Sequence, residues 1–163
     1  MSGRVIGLAR RHVSRAPMEL LKHALLTTDK GLHGDSKGEK FPDRQLTILA
    51  LEDWNEAMFD IAGPDGSPQL PWTMRRANIL MQGVRLPRGI GSILRIRDCM
   101  LKVTAQTTPC VKMEMAHAGL LSALTPDWRG GITCKVLTGG AVALNDIVTI
   151  MVEQPEFKVR LPA

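Results

Sequence analysis

Glycine and proline interrupt this chain so often that only short regular elements fit between the breaks. The sequence contains 15 glycines and 10 prolines, and they cluster in residues 31–42, 63–71, 83–91, 119–131 and 139–140. Both residues end regular structure, because proline lacks a backbone donor and glycine favours turns. Many short elements between turn signals are typical of a β-rich domain rather than a helical bundle.

Apolar patterning predicts where the strands lie. The segment Pro17–Thr28 fits either a helix or a strand, and Gly31–Pro42 is predicted to be a polar loop. The chain between Asp98 and Met100 is predicted to turn, which makes a β-hairpin of the segments on either side. The predicted strands are Val5–Ala9, Gln45–Leu51, Asn78–Val84, Ser92–Arg97, Met100–Ala105, Ile132–Leu137 and Ile147–Val152.

Two segments carry helical spacing. Over Leu51–Ala62, Trp54, Met58 and Ile61 recur on one face, and Gly63 then ends the helix. Val111–Leu124 is also predicted to be helical, in two pieces around Gly119.

The count of elements predicts the fold class. It gives about seven or eight strands and two or three short helices, without the alternation of strand and helix that a parallel sheet needs. We therefore predict a mainly β fold, a closed or nearly closed β-barrel. The length of 163 residues predicts a single domain over 1–163. Aromatic residues make up only 4% of the chain, so the core must be aliphatic.

Composition predicts the compartment of the protein and the charge of its partner. The longest apolar run, Leu46–Leu51, is far shorter than a membrane-spanning helix, and no secretory signal is predicted, so the cytoplasm is the expected location. Three widely spaced cysteines argue against a disulfide framework. The net charge of +5 fits an anionic partner, although it could equally serve solubility alone.

Cys110 is the residue with the clearest chemical potential. Pro109 ends the preceding strand, so Cys110 falls at the start of a predicted helix, where the positive dipole end and nearby Lys112 favour a thiolate. This context predicts a reactive or metal-binding sulfur, and the alternative is a buried structural cysteine. Cys99 and Cys134 lie within strand or turn patterns, and core packing is expected for both.

Arginines recur where predicted strands begin. Arg44, Arg76 and Arg129 each stand near the start of a strand, after a loop rich in glycine or proline. If they converge on one rim they would form an anion pocket, because guanidinium groups match phosphate oxygens. The alternative is that each is a solvated charge or a salt-bridge partner. His33 and His117 are interpreted as surface or satisfied histidines.

Several motifs together resemble those of one known family. They run in order over about 120 residues: Gly31–Asp35, Asp43–Thr47, Arg76–Leu80 with Gly83-Val84, Ile90–Ile96, Thr108–Cys110, His117–Leu120, Arg129–Ile132 and Gly140–Val148. Each motif alone is weak, but their order and spacing resemble the MOSC domain. That domain forms the C-terminus of molybdenum cofactor sulfurases and also occurs as small stand-alone bacterial proteins.

The resemblance implies a β-barrel and a set of site residues. Cys110 matches the family's functional cysteine, which carries persulfide sulfur or ligates molybdenum of the pterin cofactor, molybdopterin. The family often has Gly-Asp-Arg-His where this chain has Gly34–Lys37, and Arg-Pro-Asn where it has Arg76–Asn78. The residues that the resemblance assigns to the pocket for the anionic pterin phosphate are Arg44, Arg76, Asn78, Thr108 and Arg129.

The expected function is therefore binding of the molybdenum cofactor. As an enzyme the protein would reduce N-hydroxylated substrates with electrons from a donor protein. The alternative is a non-enzymatic carrier of sulfur or cofactor that serves an acceptor protein. A basic nucleic-acid-binding barrel is a third hypothesis, but the scarcity of aromatics speaks against base stacking. No membrane partner is expected.

Overall fold

The structure, a computed structural model, describes residues 2–63 and 70–156. Single turns of 3-10 helix lie at Trp72–Arg75 and Pro126–Trp128. The elements follow in the order β1 (Ser2–Arg10), β2 (Glu19–Leu21), β3 (His23–Thr27), β4 (Gly31–Leu32), β5 (Leu46–Ala50), α1 (Leu51–Ala62), β6 (Ile79–Gln82), β7 (Ile93–Ile96), β8 (Cys99–Gln106), α2 (Val111–Ala116), α3 (Leu120–Leu124), β9 (Ile132–Thr138), β10 (Gly140–Ala143) and β11 (Ile147–Val152).

Seven strands close into a barrel. The main sheet has the order β11-β7-β8-β9-β5-β6-β1-β2, and β1 also pairs with β11, which joins the two sides of the sheet. The pairings are antiparallel except for β5 with β6, and α1 makes the crossover between these two parallel strands. The closed, mainly β barrel and the three helices confirm the predicted fold class.

Aliphatic side chains fill the barrel, as the low aromatic content predicted. Leu8, Ile48, Ile79 and Leu101 are among the side chains with no exposed surface. Strand residues alternate between the two faces of a sheet, so each strand sends a row of such side chains inward.

A second apolar cluster packs the three helices against the outside of the barrel. Trp54 and Met58 of α1 meet Met113 of α2 and Leu120 of α3 there. Trp54 and Met58 belong to the predicted apolar face, which confirms that helix, and Gly63 caps it with a positive φ of 65°. Because Met113 is buried in this cluster, it fixes the position of α2 and therefore of Cys110, the residue just before that helix.

Gly131 allows two barrel strands to approach each other closely. Its φ is 92°, and a Cβ atom there would lie 2.2 Å from the carbonyl oxygen of Ile48 on β5. The next residue, Ile132, pairs with Ile48. The Arg129-Gly130-Gly131 turn can therefore enter β9 only with a glycine at this position.

The structure decides between helix and strand for one segment and differs from the prediction for another. Pro17–Thr28 contains the strands β2 and β3 rather than a helix. The predicted polar loop Gly31–Pro42 is wrong over its first two residues, because Gly31–Leu32 pairs with β3 and Leu32 is fully buried. The predicted hairpin is confirmed: β7 and β8 are antiparallel, with Ile96 opposite Cys99.

The helices are short. Across residues 2–63 and 70–156, none combines the length and apolar character that crossing a membrane requires.

Candidate functional site

A cavity of about 200 Å³ opens at one end of the barrel. Its lining comes from seven separate stretches of the described chain, which the barrel brings together. They are Arg11 after β1, Met18 before β2, Asp35–Lys37 after β4, Arg44 with Thr47 at the start of β5, Arg75, Arg76 and Asn78 before β6, Thr107 with Cys110, Lys112 and Met113 from the end of β8 into α2, and Thr133 on β9.

Positive charge dominates this cavity. Among the described residues that line it, six are cationic and one, Asp35, is a carboxylate. Such an excess favours an anion, because one carboxylate cannot balance six positive charges. The cations are Arg11, Lys37, Arg44, Arg75, Arg76 and Lys112.

Arg75 is the most deeply buried of these cations. It is 7% exposed, its Nε donates to the carbonyl of Gly130 and its Nη2 donates to the carbonyl of Thr107, both at 3.1 Å. Within the described ranges, no carboxylate forms an ion pair with it. Burial lowers the pKa of Arg75, and the Cys110 thiol acts in the opposite direction. Arg75 is thus a buried cation close to the candidate thiol.

Lys37 places a second cation against the barrel wall. Its Nζ donates a 2.6 Å hydrogen bond to Oγ1 of Thr47, a buried residue on β5. Burial lowers the pKa of Lys37 to about 8; Asp35 opposes this shift, and the charges of Arg44, Arg75 and Arg11 add to it.

Asp35 organises the loop that carries Lys37. One carboxylate oxygen accepts from the backbone N–H of Arg11 at 2.9 Å and the other accepts from that of Lys37 at 3.3 Å. These bonds tie the loop after β4 to the end of β1. Burial and the nearby Arg76 lower the pKa of Arg11, while Asp35 raises it. The single carboxylate of the cavity therefore serves two cations and two backbone donors.

Cys110 lies at the rim of the cavity and is exposed. It immediately precedes α2, in extended conformation, and its carbonyl accepts the backbone N–H of Met113 at 2.9 Å. Cys99 and Cys134 have no exposed surface and lie in the barrel core, where burial raises the pKa of both thiols. Cys110 is therefore the accessible sulfur of the three.

Thr107, rather than Thr108, faces the cavity. The Thr107 hydroxyl oxygen is buried and has no hydrogen-bond partner within the described part of the chain. Thr108 is exposed and lies outside the lining, because neighbouring residues of an extended segment point in opposite directions. An unpaired buried hydroxyl is costly, so a ligand that accepts a hydrogen bond from it would be stabilised.

Of the other predicted site residues, the cavity includes Arg44, Arg76 and Asn78. Arg44 lies 5.1 Å from the ring centroid of Phe41. The Asn78 side chain binds backbone instead: Oδ1 accepts from the N–H of Thr47 at 3.0 Å and Nδ2 donates to the carbonyl of Ala9 at 3.2 Å. Asn78 therefore joins three strands at the mouth of the barrel.

Arg129 lies outside the cavity lining. Its guanidinium forms ion pairs with Glu56 and Asp60 of α1 and donates to the carbonyl of Ala123 at 3.0 Å. These partners use its donors to connect α1 and α3. The strand-start position predicted convergence with Arg44 and Arg76, but Arg129 is not among the residues that line their cavity.

Sequence reasoning did not single out Lys37, Arg11 or Arg75 as site residues. Lys37 had a signal, since it stands where the family often has histidine. Arg75 and Arg11 each neighbour another arginine, and the sequence does not tell which of the two points inward. His33 and His117 are partly or fully exposed. Over the described ranges, no three His, Cys, Asp or Glu side chains are grouped as a metal site would need.

Comparison with known proteins gives a consistent result. The family profile of the MOSC domain matches residues 33–149. The crystal structure of the YuaD protein from Bacillus subtilis has a TM-score of 0.73 at 20% identity, covering 91% of this chain and 94% of that one. YiiM from Escherichia coli has a TM-score of 0.70 at 17% identity, covering 96% and 72%. None of the curated proteins matches this chain significantly in sequence.

Proposed function

This chain belongs to the MOSC domain family, and we propose that its cavity binds the molybdenum cofactor with Cys110 as the sulfur that reacts with or ligates the metal. Membership gives the chain a role related to molybdenum-cofactor chemistry in general. The chemistry of the cavity supports the proposal that it binds the cofactor and that Cys110 is the reacting sulfur.

One observation carries the proposal: an exposed thiol borders a cavity whose described lining holds six cations and one carboxylate. Among these cations, Arg75 supports the proposal most strongly, because burying a charge without a counterion is costly. A bound phosphate would supply that counterion. The unpaired hydroxyl of Thr107 offers the same ligand a donor. The lining therefore fits an anionic cofactor.

Each residue has a defined part in this proposal. Arg11, Arg44, Arg75 and Arg76 would bind the phosphate, since guanidinium groups form paired hydrogen bonds with its oxygens. Cys110 would offer molybdenum a soft thiolate ligand. Asn78 would contribute by keeping the ends of β1, β5 and β6 together rather than by touching the cofactor. When bound, the cofactor supplies redox chemistry at molybdenum.

Two activities follow from the same site. As a reductase, the protein would convert an N-hydroxylated base or amide to the parent compound and water, using two electrons from a donor protein and two protons from solvent. As a carrier, the Cys110 thiolate would take sulfane sulfur from a donor persulfide, whose thiolate leaves, and would hold it as a persulfide. A nucleophile of the acceptor protein would then take that sulfur and release the Cys110 thiolate. The exposure of Cys110 fits both activities. The proposed compartment is the cytoplasm, where a free thiol stays reduced.

Metal retention tests the proposal. The protein is purified from cells that synthesise the cofactor, and molybdenum and pterin are then measured per chain. We expect Cys110→Ser to lose molybdenum and Arg76→Met to lose both. Arg95→Met removes an exposed cation of β7 outside the cavity and is expected to retain both.

Two outcomes contradict the proposal. If wild type carries neither pterin nor molybdenum, the cavity does not bind this cofactor. If Cys110→Ser keeps the wild-type molybdenum content, the thiol is not a ligand. Cyanide-labile sulfur on Cys110, without reductase activity, selects the carrier over the enzyme.

A further inference from the structure

Lys37 differs in kind from the other cations of the cavity. An arginine remains charged at any pH at which a protein is folded, whereas the charge of a lysine depends on its surroundings. Lys37 lies in the lining, its amine donates to Thr47 Oγ1 at 2.6 Å, and Thr47 is 3% exposed. The amine is therefore fixed against the barrel wall.

The charged groups that act on the Lys37 amine come from four segments, and among the described residues Arg76, Lys112 and the Cys110 thiol complete the charged and titratable groups of the lining. Asp35 lies in the same loop, Arg44 precedes β5, Arg75 precedes β6 and Arg11 follows β1. Three of these four are positive. The one carboxylate already accepts two backbone N–H groups, so its charge is shared.

We propose that Lys37 is the proton-exchanging residue of this cavity: its amine takes up a proton when a tetrahedral dianion binds, so that retention of the ligand depends on pH. The inference rests on the proposed function, because it assumes that the cavity binds an anion. The ligand chemistry is that of a phosphate group. Burial and three repelling guanidinium groups lower the pKa of the amine in the absence of an anion.

A bound dianion has the opposite effect on that pKa. It offsets the guanidinium charges and attracts the ammonium, so the proton is bound more tightly in the complex than in its absence. With the pKa of Lys37 at about 8 before the dianion binds, Lys37 is then mostly charged at about pH 7 and mostly neutral at about pH 9. At a pH above the pKa of Lys37, binding of the dianion therefore requires a proton from solvent. Affinity should fall about tenfold between these two pH values.

Sulfate is the probe for this test, because it has the shape and charge of a phosphate dianion and does not itself titrate over this range. Met18 and Met113 line the cavity, so their ¹³C-labelled methyl signals report occupancy at any pH. Sulfate titrations of the full chain at about pH 7, 8 and 9 give the apparent Kd at each. Proton uptake is measured separately by calorimetry in buffers of different ionisation enthalpy.

Two substitutions at the same position separate charge from proton exchange. Lys37→Arg keeps a permanent charge and should bind sulfate with an affinity that does not change with pH. Lys37→Met should bind it about tenfold more weakly at about pH 7 and also lose the pH dependence. Lys102→Met, on the exposed side of β8, is the matched control and should behave as wild type.

Several results would overturn the inference. If the sulfate affinity of wild type is constant with pH, Lys37 is not the titrating group. The same holds if the fall in affinity with rising pH persists in Lys37→Arg. A fall that disappears in Cys110→Ser assigns the titration to the thiol instead. If wild type binds no sulfate at any pH, the proposed function fails as well, whereas binding that is independent of pH contradicts the Lys37 inference alone.

Discussion

Nη2 of Arg75 donates a hydrogen bond of 3.1 Å to the carbonyl oxygen of Thr107, three residues before the exposed Cys110. A second bond from Nε reaches the carbonyl of Gly130. One buried guanidinium therefore connects the segment that carries the thiol to the turn that enters β9. The same cation belongs to the lining of the anion cavity.

Arg75→Met should lower sulfate affinity by at least about tenfold with little change in stability. The substitution removes two hydrogen bonds, a loss of about 1–3 kcal/mol. It also removes a buried charge without a carboxylate partner, which opposes that loss. We expect the free energy of unfolding in urea to stay within about 1 kcal/mol of wild type. A variant with wild-type sulfate affinity would show that Arg75 has only a structural role.

Arg129→Met should have the opposite profile. Arg129 forms ion pairs with Glu56 and Asp60 and donates to the carbonyl of Ala123, all outside the cavity. Because both carboxylates are partly exposed, each pair is weak, and we expect a loss of about 1–2 kcal/mol in the free energy of unfolding. Sulfate affinity should be unchanged. A weaker sulfate complex at unchanged stability would restore Arg129 to the anion site.

A single thiol should react in the folded protein. Cys110 is exposed, whereas Cys99 and Cys134 have no exposed surface. Alkylation with excess iodoacetamide, followed by mass spectrometry, should give one adduct on Cys110 and two more only in denaturant. Cys110→Ser should give no rapid adduct. Rapid labelling of Cys134 in the native protein would mean that the barrel opens readily.

Asp53→Asn should stabilise the protein at neutral pH. Burial raises the pKa of Asp53 to about 6, although the nearby Arg88 acts against the shift. A carboxyl group whose pKa is raised on folding opposes folding once it is ionised, so the folded state loses stability as pH rises from about 4 to 6. Asn removes that cost.

The expected gain is modest because Asp53 is partly exposed to solvent. We expect about 1 kcal/mol at about pH 7.5 and no difference at about pH 4, where the native carboxyl group is already neutral. Urea denaturation of both proteins at the two pH values measures it. An equal difference at both pH values would mean that ionisation of Asp53 is not the cause.

Local patterns predicted the barrel elements because those patterns have local causes. The alternation in Ser92–Arg97 and Met100–Ala105 predicted a hairpin, and the hairpin is present. Trp54 and Met58 predicted the buried face of α1. Strand period and helix period act over a few residues, so the sequence alone contains this information.

The cavity was harder to predict, because its lining depends on which side chains point inward after the barrel closes. Arg75 and Arg76 are neighbours, yet Arg75 is buried and Arg76 is exposed with a positive φ of 64°. Thr107 and Thr108 are also neighbours, yet the Thr107 hydroxyl is buried and Thr108 is exposed. The proximity of Lys37 to Thr47 depends on the loop after β4, whose path Asp35 sets through backbone bonds.

The pairing of Gly3 with Val148 has a consequence for how a nascent chain behaves. Until β11 has emerged from the ribosome, the first residues of β1 (Ser2–Arg4) and the whole of β7 each present an unpaired edge. Such edges recruit other chains. A chain shortened before Ile147 should therefore self-associate or engage chaperones rather than simply melt at a lower temperature. Cellular quality control would act mainly on this late step of assembly.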